Sequence, residues 1–251
     1  MQNAEQISTR LSNSPAYHRQ STQRCTPVHL DVLSEVTVGE VDKILRALPS
    51  RTSTTNYFPT FLLTSAADVT APLITRLANL SFNSGVFPTD LKLGRVTPLI
   101  KKPGLDKSDM SNFRPITNLN ALSKVLEKLV LSHLRPHIMS TGNFSEFQSA
   151  YRTGHSVETA LLRVVNDVVT ATDKKQATVL LSLDISAAFD TTDTDTLLNL
   201  MYVDFAVGAT ALKWPHSFTT GRSQYIGLDS LQQLRACWVY WGQYSLPFIY
   251  R

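Results

Sequence analysis

The sequence predicts an α+β domain, helix-rich with a small antiparallel sheet, and three observations carry that expectation. Apolar residues recur at helical spacing in several stretches, the clearest being Leu122, Val125, Leu126, Leu129, Val130 and Leu134. Two short runs read as strands instead: Arg95 to Ile100 alternates, and Val179-Leu180-Leu181 is a branched apolar run too short for a helix. Between them Lys101-Lys102-Pro103-Gly104 forces a turn.

With 251 residues and 43% hydrophobic content, the chain is long enough for one large domain or two small ones with a real core. Its formal charge of +4 and pI of about 9.1 are mildly basic. The basic residues cluster as Lys92, Arg95, Lys101, Lys102, Lys107, Arg114, Lys124, Lys128 and Arg135, against Asp106, Asp109 and Glu127. Such a stretch suits a solvated face or a surface turned toward nucleic acid. Cys25 and Cys237 stand far apart and imply neither a disulfide framework nor a zinc site. The amino terminus lacks the apolar core of a signal peptide, and no run approaches the roughly 20 apolar residues of a membrane span. An intracellular protein of nucleus or cytoplasm, not secreted and without a membrane partner, is the expectation.

Taken in order, residues 1 to about 30 are rich in Ser, Thr, Gln and Asn and read as linker. Thr37 and Glu40 form a capping-box pattern ahead of Val41, Ile44, Leu45 and Leu48. A helix is predicted over Thr60 to about Ser65. Another runs from Ala71 to Ser84, with Leu73, Leu77 and Leu80 on a stripe and Gly85 as its stop. After the turn at Gly104 the chain is extended around Pro115 and then enters the helix of Leu122 to Leu134. A further helix starts near Ser156 and is expected to bury Leu161, Val164, Val165 and Val168. Gly154 just before it leaves backbone N–H groups able to meet an anion. Past Asp190 the pattern is helix, a break at Gly208, a second helix, and a Gly221-Arg222 turn into a strand. Pro215 inside that second helix predicts local damage, at a cost of roughly 3 kcal/mol.

The most informative stretch is Ala177 to Asp190, ATVLLSLDISAAFD, expected to hold a central strand from Ala177 to Ile185. An ionised carboxylate, Asp184, stands where the apolar run ends, and such a group needs a cationic or hydrogen-bonding partner. From the residues alone Asp184 either caps a helical turn from Ser186 to Phe189 or holds a metal ion. LSLDISAAFDTTDTDTLL resembles the first catalytic motif of the reverse transcriptases of LINE-type, non-long-terminal-repeat retrotransposons. The resemblance continues through VTVGEVDKILRALPS, RVTPLIKKPG, SNFRPITNLNALSKVLEKLV and the Gln148-Tyr151-Arg152-Gly154 segment, spanning about Val36 to Leu228 in family order. One departure is Thr194, where the family commonly has His.

That resemblance implies the fingers and partial palm of a right-hand polymerase. By it, 1–30 is a disordered or linker segment, 31–90 a helical lead-in to the fingers, 91–175 the fingers, 176–230 a partial palm with the first catalytic motif, and 231–251 an aberrant, frameshifted tail. It implies Asp184 as catalytic residue, Asp184 and Ile185 as the metal-holding positions, and Mg²⁺ as cofactor. Lys101 or Lys102, with Arg114, would reach the triphosphate of the incoming nucleotide. Phe189 would lie under the nucleotide's sugar, and Gln148 and Arg152 would line the template-primer and nucleotide pocket. RNA template, DNA primer and deoxynucleotides are the implied partners. The Tyr/Phe-Ala-Asp-Asp segment that supplies the family's other two carboxylates does not occur in this sequence, so the expectation is a reverse transcriptase fragment inactive by itself. The alternative is a residual nucleic-acid-binding or interaction module without catalysis. From Leu231 onward the sequence is dense in Trp and Tyr, and its codons allow the family's Leu-Gly-Pro motif in a shifted frame; a chance aromatic-rich terminus is the other reading.

Overall fold

The first helix of the computed structural model, which describes residues 28–49, 59–183 and 193–226, is capped as its sequence demands. Ahead of α1 (Val38–Arg46) the Thr37 hydroxyl accepts from the Glu40 amide, and the Glu40 carboxylate accepts from the Thr37 amide at 2.7 Å. Val41 and Leu45 are then buried on one face. Helices α2 (Thr60–Ser65) and α3 (Ala67–Ser84) follow, and α3 stops at Gly85 with φ +67°. A Cβ at Gly85 would stand 2.8 Å from the Cβ of Lys213, so both conformation and space call for glycine.

The buried face of α3 is not its leucine stripe. Leu73 is 67% exposed and Leu80 is exposed too, while Ala67, Ala71, Ile74, Ala78 and Phe82 face the core. The physical reason is that small residues on this second stripe let neighbouring helices approach closely, and α1 packs there.

The sheet is built from β1 (Leu93–Ile100), β2 (Phe113–Leu119) and β3 (Ser223–Ile226), in the order β2-β1-β3. β1 and β2 form the expected antiparallel hairpin, with Leu99 opposite Arg114 and Pro98 opposite Pro115. β3 joins β1 in parallel, Arg95 opposite Tyr225, so the sheet is mixed and not antiparallel as predicted. The reason is connectivity: β3 reaches β1 after a long helical crossover, and only a hairpin forces the antiparallel sense.

Helix α4 (Ala121–Ser140) buries Val125, Leu126, Leu129, Val130 and Leu134 as its periodicity predicts, with Ile138 in addition. It is followed by α5 (Val157–Asp173), α6 (Thr194–Val203) and α7 (Ala209–Thr219). The damage predicted at Pro215 is not seen, because α7 runs through it. Trp214 and Phe218 on either side are fully buried, which offsets the lost amide hydrogen bond. Trp214 donates from Nε1 to the Ser81 hydroxyl at 2.9 Å and stacks on Phe218 at 5.3 Å. Phe87 and Phe82 meet it edge-on.

Arg222 closes this cluster. Its guanidinium lies 4.0 Å from the Phe218 ring centre and 5.3 Å from that of Phe87, and its Nε donates to the Phe218 carbonyl. Burial raises the Glu127 carboxyl above its usual range, and the charge of Arg222 pulls it back. At the other end of the fold, Leu30 donates to Ala206 O and accepts from Gly208 N, both at 2.9 Å. Residue 30 is thereby tied to the α6–α7 junction. Of the predicted linker over 1–30, residues 1–27 lie outside the described residues, as does the predicted tail over 231–251.

Two expectations about burial are overturned. Among the described residues no element covers α5, and Leu161, Val164 and Val165 are exposed. Residues 177–183 are not a strand, and Val179 is 92% exposed. An apolar run becomes a strand only where a ladder partner and a covering face exist, and among the described residues no strand pairs with 177–183. Ile185, the predicted end of that strand, lies outside the described residues. Among the described residues no helix is long and apolar enough to cross a membrane.

Two outcomes follow for stability. Ile74→Ala should cost about 2–4 kcal/mol in denaturant unfolding and Leu73→Gln no more than about 0.5. Equal costs would restore the leucine stripe as the buried face.

His133, edge-on to Phe82 at 6.1 Å, has its Nε2 buried without a hydrogen-bond partner. Burial lowers its pKa from the ordinary 6.5, with the Glu40 charge opposing. Above that value folded and unfolded chains both hold it neutral. Below it the unfolded chain takes up a proton that the fold resists, so stability falls as pH drops from about 7 to 5. The fall in Tm across that interval should be smaller in His133→Phe; an identical fall would remove His133 as its source.

Candidate functional site

Strand alternation decides which hairpin side chains share a surface. Leu99 faces Arg114, and the Lys101 amide donates to Asn112 O at 2.8 Å, extending the ladder one rung past β1. Period two then puts Arg95, Thr97, Leu99 and Lys101 on one face of the ribbon with Asn118, Ile116, Arg114 and Asn112. The opposite face carries Val96 and Leu119 into the core. Lys101, not Lys102, therefore shares a face with Arg114, a choice the sequence left open. All three cations are exposed.

The connection between the strands is stiffened by its own acids. Asp106 accepts from the amide and hydroxyl of Ser108, and Asp109 does the same with Ser111. The Ser111 hydrogen bonds hold the Asp109 carboxyl below the usual carboxylate range, and the charge of Lys101 acts in the same direction. Lys101 and Asp109 thus influence each other at the loop end of the hairpin.

Gln148 and Arg152 form a second group, on the loop joining α4 to α5. Arg152 donates from Nη1 to Glu146 O at 3.0 Å and lies 5.9 Å from the Phe144 ring centre. Gln148 donates to Ala150 O at 3.5 Å. Both therefore spend hydrogen bonds within their own loop. Tyr151 holds a left-handed φ of +59°, and the Arg135 guanidinium, from α4, donates to its carbonyl. At the start of α5 the Ser156 hydroxyl accepts from the Thr159 amide, and the Ser156 amide donates to the Thr159 hydroxyl at 2.8 Å. The capping box thus occupies two of the amides at this helix start, those of Ser156 and Thr159.

Asp184, Ile185 and Phe189 lie outside the described residues. Asp193, the first described residue after them, is an N-cap: it accepts from the Thr196 amide at 2.8 Å and hydroxyl at 2.6 Å. Among the described residues no three His, Cys, Asp or Glu side chains are grouped to hold a metal ion. They do not by themselves fit Mg²⁺.

Sequence reasoning missed two residues at this loop. Arg163 on α5 lies 4.5 Å from the ring centre of Phe147, which is exposed beside Gln148. Neither belongs to a local pattern, because the pair is made by the fold of the loop and not by spacing.

The sequence pattern of the reverse transcriptase (RNA-dependent DNA polymerase) family matches residues 100–235, from the last residue of β1 to beyond β3. The chain is 36% identical over 117 residues to a probable RNA-directed DNA polymerase from transposon X-element of Drosophila melanogaster, covering 47% of this chain and 13% of the relative. It is 29% identical over 159 residues to the RNA-directed DNA polymerase from mobile element jockey of the same fly, covering 63% of this chain and 17% of the relative. A putative 115 kDa protein of the type-1 retrotransposable element R1DM, also from that fly, is 29% identical over 170 residues, covering 66% and 16%. The match thus spans between 13% and 17% of the length of these relatives.

Proposed function

The chain belongs to the reverse transcriptase family, of the LINE-type retrotransposon kind, and on that premise we propose that it is the nucleotide- and template-holding part of a retrotransposon RNA-directed DNA polymerase. The observation that carries this reading is the exposed hairpin face on which the strand register gathers Lys101 and Arg114, inside the stretch that matches the family. A planar guanidinium and a compact ammonium on one face suit the oxygens of a triphosphate or a nucleic-acid backbone. In this reading residues 91–175 are the fingers and 176–230 the start of a palm. Gln148 and Arg152 act through the shape of their loop, Phe189 reads the sugar, and Asp184 with Ile185 is the metal position. The partners are RNA template, DNA primer and deoxynucleotides inside the cell.

Binding should be salt-dependent and indifferent to sequence. Each single-strand phosphate contact contributes about −0.7 to the log–log slope of affinity against salt. Lys101→Ala and Arg114→Ala should each flatten the slope measured by fluorescence anisotropy by about that amount, and Lys102→Ala by less. A slope unmoved when all three are removed would overturn the hairpin as the contact surface.

Holding is expected without polymerisation, because the sequence supplies Asp184 but no Tyr/Phe-Ala-Asp-Asp segment. With Mg²⁺, primed RNA and deoxynucleotides, this 251-residue chain should extend no primer above background. Extension abolished by Asp184→Ala would show that the missing carboxylates are replaced from elsewhere in the chain.

A further inference from the structure

Phe147 is a large aromatic that the reading above leaves without a task. It is 68% exposed, on the loop between α4 and α5, one residue before Gln148. The Arg163 guanidinium sits 4.5 Å from its ring centre, so the ring is backed by a planar cation while most of its surface stays open. Four residues on, Tyr151 is 47% exposed and is kept in its left-handed conformation by the hydrogen bond from Arg135 to its carbonyl. The loop therefore presents two exposed aromatic residues, one with a guanidinium over its ring and the other with its backbone carbonyl held by one. Of the nearby carboxylates, Glu146 is exposed and Glu158 is held at the start of α5 by a hydrogen bond with Ser156.

An exposed ring with a guanidinium behind it matches the two surfaces of a nucleotide in a single strand. The flat base stacks on the aromatic, and the adjoining phosphate meets the donors of the arginine. Bases in a duplex are already stacked on each other and are closed to such a ring.

We propose that Phe147 and Arg163 form a base-stacking platform for single-stranded nucleic acid, distinct from the phosphate-facing hairpin. It rests on the reading that this chain's partner is nucleic acid. Stacking is insensitive to salt and phosphate contact is not, so the two residues carry separable signatures.

Anisotropy titrations of the full chain with a labelled oligouridine and with a duplex of equal length test this. Phe147→Ala should weaken single-strand binding about five-fold or more, leave its salt slope unchanged and leave duplex binding unchanged, whereas Phe147→Trp should retain affinity. Arg163→Gln should flatten the single-strand slope by about 0.7. Both side chains are exposed, and unchanged circular dichroism of the variants excludes unfolding as the cause. Single-strand binding by Phe147→Ala equal to that of the parent overturns the platform and leaves the hairpin reading standing. A parent chain that binds no nucleic acid at low salt overturns both. A Phe147→Ala variant altered only in sedimentation assigns the ring to a protein contact and overturns the platform.

Discussion

A buried guanidinium determines how the sheet meets the helices. Arg222 follows Gly221, whose φ of +64° turns the chain out of α7, and its side chain reaches back over Phe218 and Phe87 while its Nε caps the Phe218 carbonyl. A cation at a helix carboxyl end is favoured by the helix dipole, and the two rings supply the contact that water would otherwise give. This fixes the direction in which β3 leaves α7, and so the parallel pairing of β3 with β1. The hairpin that carries Lys101 and Arg114 is anchored through that pairing. Trp214, bound to Ser81 across the core, holds α7 against α3 at the same point.

Much of this was legible in the sequence because it is local. The Thr37–Glu40 capping box, the periodic face of α4 and the turn at Gly104 each depend on residues a few positions apart. The buried face of α3 is not legible from spacing, because a leucine stripe and an alanine-isoleucine stripe run side by side on one helix. Hydrophobicity favours the first, and close packing chose the second. Pro215 was misread for a related reason, since the burial of Trp214 and Phe218 outweighs a propensity penalty.

The candidate site divides in the same way. Family motifs named Lys101, Lys102, Arg114, Gln148 and Arg152, yet residue type cannot separate two adjacent lysines; the register of β1 on β2 does so, through twelve residues of intervening loop whose closure is not written in either lysine. Gly221-Arg222 looked like an ordinary turn. Its role exists only because Phe87, far away in the chain, arrives on the other side of the guanidinium. The run at 177–183 shows the limit of composition, since residues of high β propensity form no strand without a ladder partner.

The prolines at the middle of the hairpin have a consequence of their own. Pro98 and Pro115 face each other at a rung between the hydrogen-bonded pairs of the ladder, where an amide would point away from the partner strand. Neither costs the hairpin a hydrogen bond. Each instead removes a donor from an outer edge: Pro115 from the side of β2 away from β1, and Pro98 from the side of β1 beyond Val96, where β3 ends. A third strand trying to add itself alongside the outer half of the ribbon finds a gap on either flank. A missing donor on each outer edge in this way disfavours edge-to-edge fusion with other extended chains.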